Sequence, residues 1–142
     1  MKRVRDVLNV KGTDVFTIGP DASVYDAIKI MSDNRIGALV VLDGEKLVGL
    51  ISETDYARKI VLMGRTSVNT MVREIMTDKV LYVSLDQDIT ECMALMSEYR
   101  FRHLPVIEDE QLAGLISIGD LVKSIIDDQT FTIEQLERYI TG

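Results

Sequence analysis

Two aspartates in this sequence sit where a carboxylate could meet a polar ligand. Asp55 closes the step Ser52-Glu53-Thr54-Asp55, and Asp120 closes Ser117-Ile118-Gly119-Asp120. Each step follows an apolar run broken by one glycine, Leu47-Val48-Gly49-Leu50-Ile51 in the first case and Leu112-Ala113-Gly114-Leu115-Ile116 in the second. Ser-x-x-Asp where a strand turns into a helix is a good N-terminal cap with no ligand at all. The serine oxygen takes an orphan amide, and the acid suits the positive end of the helix. The same free N–H groups attract phosphate. An aspartate placed there can also accept two hydrogen bonds from a ribose diol, which deoxyribose cannot supply. Capping and binding are compatible, and the residues alone leave both open.

The second chemical feature is basic. Arg100, Arg102 and His103 form the densest cationic cluster in a chain of net charge −7. As surface groups paired to Glu98 or Glu108 they would contribute little. Alternation along an extended stretch puts Arg102 and Leu104 on the face opposite His103 and Pro105, so one of the basic groups should face a cleft. A guanidinium offers a planar donor fork to phosphate. His103, with an ordinary pKa of about 6.5, would add a pH-dependent contact. Arg58 and Lys59 lie one turn beyond Asp55, and Lys123 is the counterpart of Arg58; an exposed helix face explains these equally well.

No nucleophile, general base and orienting group appear together, and there is no phosphate-cradling Gly-x-x-x-x-Gly-Lys loop, so an enzyme is disfavoured. One histidine and one cysteine cannot assemble an ordinary zinc site. Cys92 lies on an apolar helical stripe and reads as a core thiol in a reducing cytosol. The acidic balance disfavours nucleic acid and anionic membrane as partners. No apolar run opens the chain and none approaches the roughly 20 residues that span a bilayer, so a cytoplasmic location is expected.

The elements that position these residues come in duplicate. Sliding the 142-residue sequence by 65 positions aligns Val15–Tyr56 with Val80–Leu121 without a gap, and fourteen of the 42 pairs are identical. Asp21/Asp86, Met31/Met96, Arg35/Arg100, Gly49/Gly114, Ser52/Ser117 and Asp55/Asp120 are among them. In each copy a short β-prone stretch (Val15–Ile18, Val80–Val83) precedes an amphipathic helix capped by Ser23 or Asp88. Val24, Ala27, Ile28 and Met31 form the first apolar stripe; Ile89, Cys92, Met93 and Met96 form the second. Two apolar strands and the Ser-x-x-Asp helix follow. Asp43-Gly44 is a favoured hairpin turn, whereas Glu108-Asp109-Glu110 requires a turn of different build. Short helices are predicted at Val4–Leu8 and Val72–Met76, and Thr132-Ile133-Glu134-Gln135 has the form of a capping box opening a last helix through Ile140. That last helix would cover the core or mediate self-association.

The combination resembles the tandem CBS domain, the regulatory repeat named after cystathionine β-synthase, and is closest to members consisting of two such units and little else. The resemblance rests on Gly49–Asp55, Gly114–Asp120 and Arg102-His103-Leu104-Pro105-Val106, and extends over nearly the whole chain. It implies an α/β (α+β) fold of two βαββα units, 1–66 with its N-terminal helix and 67–128, followed by a C-terminal helix at 129–142. The units would face each other about a pseudo-twofold axis and leave two clefts. By resemblance the clefts bind AMP, ADP, ATP or NAD, and in some members S-adenosylmethionine, with no metal. Asp55 and Asp120, within Ser52, Thr54 and Arg58 and within Ser117, Ile118 and Gly119, would hold ribose and phosphate. Backbone near Thr17-Ile18, Gly37-Ala38-Leu39, Tyr82-Val83 and His103-Leu104 would face the base, with Arg102 and Pro105 also counted among the binding residues. Because Glu53 and Thr54 stand where the second copy has Ile118 and Gly119, two unequal sites are expected. A homodimer, and an effector protein that reads ligand occupancy, complete the expectation. A dimerisation module without ligand remains the alternative, with a small nucleotide-acting enzyme behind it.

Overall fold

The computed structural model describes residues 2–141; residues 1 and 142, the outer ends of the first and last predicted segments, lie outside it. In chain order the elements are α1 (Val4–Lys11), β1 (Thr17–Ile18), α2 (Val24–Asn34), β2 (Ala38–Asp43), β3 (Lys46–Ser52) and α3 (Glu53–Tyr56), which runs on into a π-helical stretch (Ala57–Val61). There follow α4 (Val72–Ile75), α5 (Ile89–Tyr99), β4 (His103–Glu108), β5 (Gln111–Ser117) and α6 (Ile118–Thr141).

The duplication is visible bond by bond. β2 pairs with β3 and β4 with β5, antiparallel, and the two hairpins share one register, with a bulge after Val41 in the first and after Val106 in the second. Ser23 caps α2 through the Asp26 amide at 3.1 Å, and Asp88 caps α5 through the Thr90 amide at 2.8 Å. Arg35 and Arg100 both end their helices in the left-handed region, at φ 54° and 59°. The hairpin turns differ as expected: Gly44 alone has positive φ in the first, whereas Asp109 and Glu110 both do in the second.

Both predicted first strands shrink, Val15–Ile18 to Thr17–Ile18 and the second further still. β1 lies parallel to β2, with the Val40 amide donating to the Phe16 carbonyl. The equivalent of Val40 is Pro105, which has no N–H to donate. The second copy keeps a single parallel bridge, Val83 to Val106, in place of a strand over 80–83.

Each unit has its own core, and each core is completed by the short helix placed before the other unit. Val24, Ala27, Met31, Leu39, Val41, Ile51 and Ile60 enclose Val72 and Ile75 of α4. Ile89, Cys92, Met96, Leu104, Val106, Ile116 and Leu121 enclose Val4, Val7 and Leu8 of α1. The N-terminal helix, grouped by chain order with the first unit, therefore packs on the second. The repeated glycines are the seats for this exchange. A β-carbon on Gly49 would lie 2.6 Å from Met76 Sδ and 3.0 Å from the Thr77 carbonyl oxygen, and one on Gly114 would lie 2.8 Å from a Leu8 methyl. The repeated aspartates serve it too: Asp86 receives Arg5 of α1 at 2.5 Å, and Asp21 receives the Arg73 Nε of α4 at 2.7 Å.

A third apolar layer joins the units. Ala38, Val40 and Leu50 of the first hairpin pack with Leu112 and Leu115 of the second. Thr77 exchanges both backbone hydrogen bonds with Leu50, at 3.0 and 2.9 Å. The predicted C-terminal helix is present, but no cap opens it at Thr132; it is the unbroken continuation of α6. Every residue from 129 to 140 on it is exposed.

Candidate functional site

A cleft of about 760 Å³ opens between the two units. From the first unit it is lined by Gly37, Leu50, Ser52, Glu53, Thr54, Asp55 and Arg58. From the second come Met96, Ser97, Arg100, Phe101, Arg102, His103 and Ile118, with Thr77 of the connecting segment between them. Its volume falls in the range of roughly 300–1,000 Å³ common to small-molecule sites.

The strand-to-helix corner fixes Asp55. Its Oδ2 accepts from the Ser52 amide at 2.9 Å and from the Ser52 hydroxyl at 3.1 Å, while the Asp55 amide donates back to Ser52 Oγ. The Glu53 amide is tied to the Gly37 carbonyl at 3.1 Å, so the corner and the start of β2 move as one piece. Asp55 is 9 % exposed, and its Oδ1 faces the Lys59 ammonium at 3.3 Å. A carboxylate offers about four acceptor positions, so capping does not exhaust it. Lys59 also donates to the Ile75 carbonyl at 2.8 Å, which makes it a tie between Asp55 and α4 rather than a solvated face.

Across the cleft stand the basic groups. Arg100 is held at the left-handed end of α5, Arg102 immediately precedes β4, and His103 opens it. Leu104 turns into the second core while His103 lines the cleft, but Arg102, expected on the face of Leu104, lines the cleft as well because it lies before the strand begins. The His103 ring lies over Gly37, within 3.6 Å of where a β-carbon would be. Burial pushes the imidazole below its ordinary value, and the Lys11 and Arg102 charges push it the same way against Asp120. His103 is therefore neutral at pH 7, a hydrogen-bonding ring in place of the titrating phosphate contact expected from its ordinary pKa.

The twin corner is built alike and partnered differently. Ser117 and Asp120 cap α6 reciprocally at 2.8 and 3.1 Å, and the Ile118 amide donates to the Arg102 carbonyl at 2.8 Å. Here, however, Lys11 at the end of α1 places its ammonium 2.5 Å from Asp120 Oδ2. Burial would raise the Asp120 carboxyl, but hydrogen bonds from Lys11 and the Ser117 amide, with the Lys11 charge, hold it below the usual range.

The cleft thus gathers Gly37, Ser52, Thr54, Asp55, Arg58, Arg102, His103 and Ile118 of the residues expected at a site. Leu39, Val83 and Leu104 spend their side chains in the cores, Ala38 lies in the layer between the hairpins, and Pro105 is buried. Thr17, Tyr82 and Gly119 are exposed, and Ile18 packs on the first core. Sequence reasoning missed Thr77 and Lys11. Thr77 carries no signal beyond following the short helix, and Lys11 meets an aspartate 109 residues away only because α1 crosses to the other unit. Burial pushes the Cys92 thiol up to about 11, as suits a core residue. Among the described residues no helix is long and apolar enough to cross a membrane.

Comparison with known proteins agrees with this architecture. A sequence profile of the CBS domain matches residues 4–62 and 72–127. The chain is 37% identical over 148 residues to the mitochondrial CBS domain-containing protein CBSX3 of Arabidopsis thaliana, covering 98% of this chain and 72% of that one. It superposes on a protein with CBS domains from Burkholderia ambifaria MC40-6 with a TM-score of 0.87 and 52% identity, over 90% of this chain and 96% of that one. It also superposes on the CBS domain pair of protein MJ0100, solved in complex with 5'-methylthioadenosine and S-adenosyl-L-methionine, with a TM-score of 0.79 and 25% identity, over 90% and 98% of the two chains.

Proposed function

Because this chain belongs to the CBS domain family, whose pairs serve as regulatory ligand-binding modules, we propose that it is a sensor for an adenine nucleotide of the AMP, ADP, ATP or NAD class and catalyses no reaction. The observation that carries this reading is the composition of the 760 Å³ cleft. A capped, buried carboxylate from one unit faces Arg100, Arg102 and His103 from the other, with Arg58 beside it. Asp55 suits a ribose diol, the guanidinium groups suit phosphate, and Leu50, Met96 and Phe101 offer apolar surface for a base. The adenosyl ligands of the MJ0100 pair support the class of ligand. S-adenosylmethionine, which is cationic at sulfur, fits less well beside three arginines.

The cleft joins the two units, so a ligand that binds one relative arrangement of them more tightly shifts the population toward it. The readers we propose for that shift are a second copy, in a homodimer, and an effector protein. The Lys11 ion pair makes the Asp120 corner the weaker of two unequal sites. Thermal unfolding with AMP, ADP, ATP, NAD and S-adenosylmethionine tests the reading. A ligand at 100 times its Kd adds about 2.7 kcal/mol by mass action, a shift of several degrees. No shift with any adenine compound would leave the ligand-free dimerisation module in its place. Turnover of ATP or NAD on incubation would favour the enzyme.

A further inference from the structure

From residue 129 to 140 every residue of α6 is exposed, although Phe131 and Thr132 still border a hollow with Asp6, Asn9 and Val10 of α1, and the apolar residues fall in a pattern that the monomer does not use. Ile126, Ile133 and Ile140 recur at intervals of seven, and Val122, Gln129 and Leu136 precede them by four. This is the a and d seam of a two-stranded coiled coil. The body-facing side of the same helix is separate: Leu121 is fully buried, Ser124 nearly so, and Asp128 is paired to Lys2 at 3.0 Å. Successive residues turn about 100°, which puts the seam roughly a third of a turn from that side, where a second helix can reach it. The five aliphatic seam residues are between 41 % (Val122) and 80 % (Ile140) exposed.

We propose that the exposed half of α6 pairs with the same helix of a second copy, as a parallel, in-register two-stranded coiled coil. The proposal specifies the contact for the homodimer of the proposed function and rests on that reading. Isoleucine at a with leucine at d, as at Ile133 and Leu136, is the combination that favours two parallel strands. Gln129 selects the register. In the parallel arrangement it meets its own copy, and the two amides bond to each other; an antiparallel helix would set it against Ile133 and leave the amide unsatisfied. From Val122 to Ile140 the seam runs about 27 Å.

Sedimentation of the full-length chain over a concentration series, with Ile133→Asp/Leu136→Asp beside it, tests the contact. Both positions are exposed in the monomer, so the body folds as before. The expected result is a dimer whose Kd rises at least about 100-fold in the double variant. Ile133→Cys gives a second readout: under mild oxidation it should link two chains at that residue, since the native Cys92 is buried. A wild-type chain that stays monomeric overturns both the homodimer and this contact. A dimer indifferent to the aspartates leaves the homodimer standing and overturns the seam. Failure of Ile133→Cys to link to its own copy overturns the parallel register.

Discussion

Replacing Asp55 by asparagine tests the ribose-binding role with little change of shape. The wild-type carboxylate accepts from the Ser52 amide and hydroxyl and faces Lys59, so Asp55→Asn weakens a helix cap as well as a ligand contact. The two effects are separable. Loss of the cap costs about 0.5–2 kcal/mol and should lower Tm by roughly 2–6 °C without ligand. Loss of hydrogen bonds from a ribose diol to a charged acceptor costs about 1.5–3 kcal/mol, a tenfold to 150-fold weaker Kd by calorimetry well below Tm. The decisive comparison is with the 2'-deoxy form of the same nucleotide. Wild type should discriminate against it, and Asp55→Asn should not, because the partner of the missing hydroxyl is already compromised. Equal affinity of wild type for both sugars, or an undiminished ribose preference in the variant, would refute the assignment of Asp55.

Three other perturbations follow from the geometry. Lys11→Ala removes the ammonium from Asp120, and since a partly exposed ion pair is worth at most about 1 kcal/mol, binding at that corner should tighten by no more than about fivefold; calorimetry showing weaker binding instead would make Lys11 part of the site. Gly49→Ala drives a methyl against Met76 and the Thr77 carbonyl and should destabilise by about 1–3 kcal/mol, read from denaturant unfolding. His103 is the one histidine, so its ring resonance can be followed alone by NMR; burial should place its midpoint below 6.5. A folded value below the unfolded one means that its contribution to stability is complete above about pH 6.5 and is lost as pH falls through the lower, folded value. His103→Gln should flatten that part of the stability curve, and a midpoint at or above 6.5 would contradict the burial.

Much of this architecture was legible because the chain states it twice. The 65-residue offset identified both Ser-x-x-Asp corners, both stripes and both caps, and the identities that looked merely repetitive have separate physical reasons. Gly49 and Gly114 admit a crossing chain, Asp21 and Asp86 hold an arginine of a short helix, and Arg35 and Arg100 end helices in the left-handed region. Differences between the copies were harder to interpret. Pro105 in place of Val40 removes one amide and with it most of a strand, a consequence visible only once the partner carbonyl is known. Repetition also cannot say which unit a preceding helix packs on, since either choice is consistent with a single offset. Lys11 was therefore beyond reach, as was the way burial takes the charge from His103. The capping box expected at Thr132-Ile133-Glu134-Gln135 failed for a local reason: the residues before it already form good helix, so no terminus exists there to cap.

The exchange of α1 and α4 makes the two halves mutually dependent. A fragment ending near Arg65 would keep a hydrophobic interior without Val72 and Ile75 to close it, and the complementary fragment would lack Val4, Val7 and Leu8. Neither is a free-standing building block, although each contains a full copy of the repeat. A nick in the exposed loop at Gly64–Ser67 should accordingly leave the molecule intact, its pieces clasped through two borrowed lids, and separately made pieces should find each other in solution.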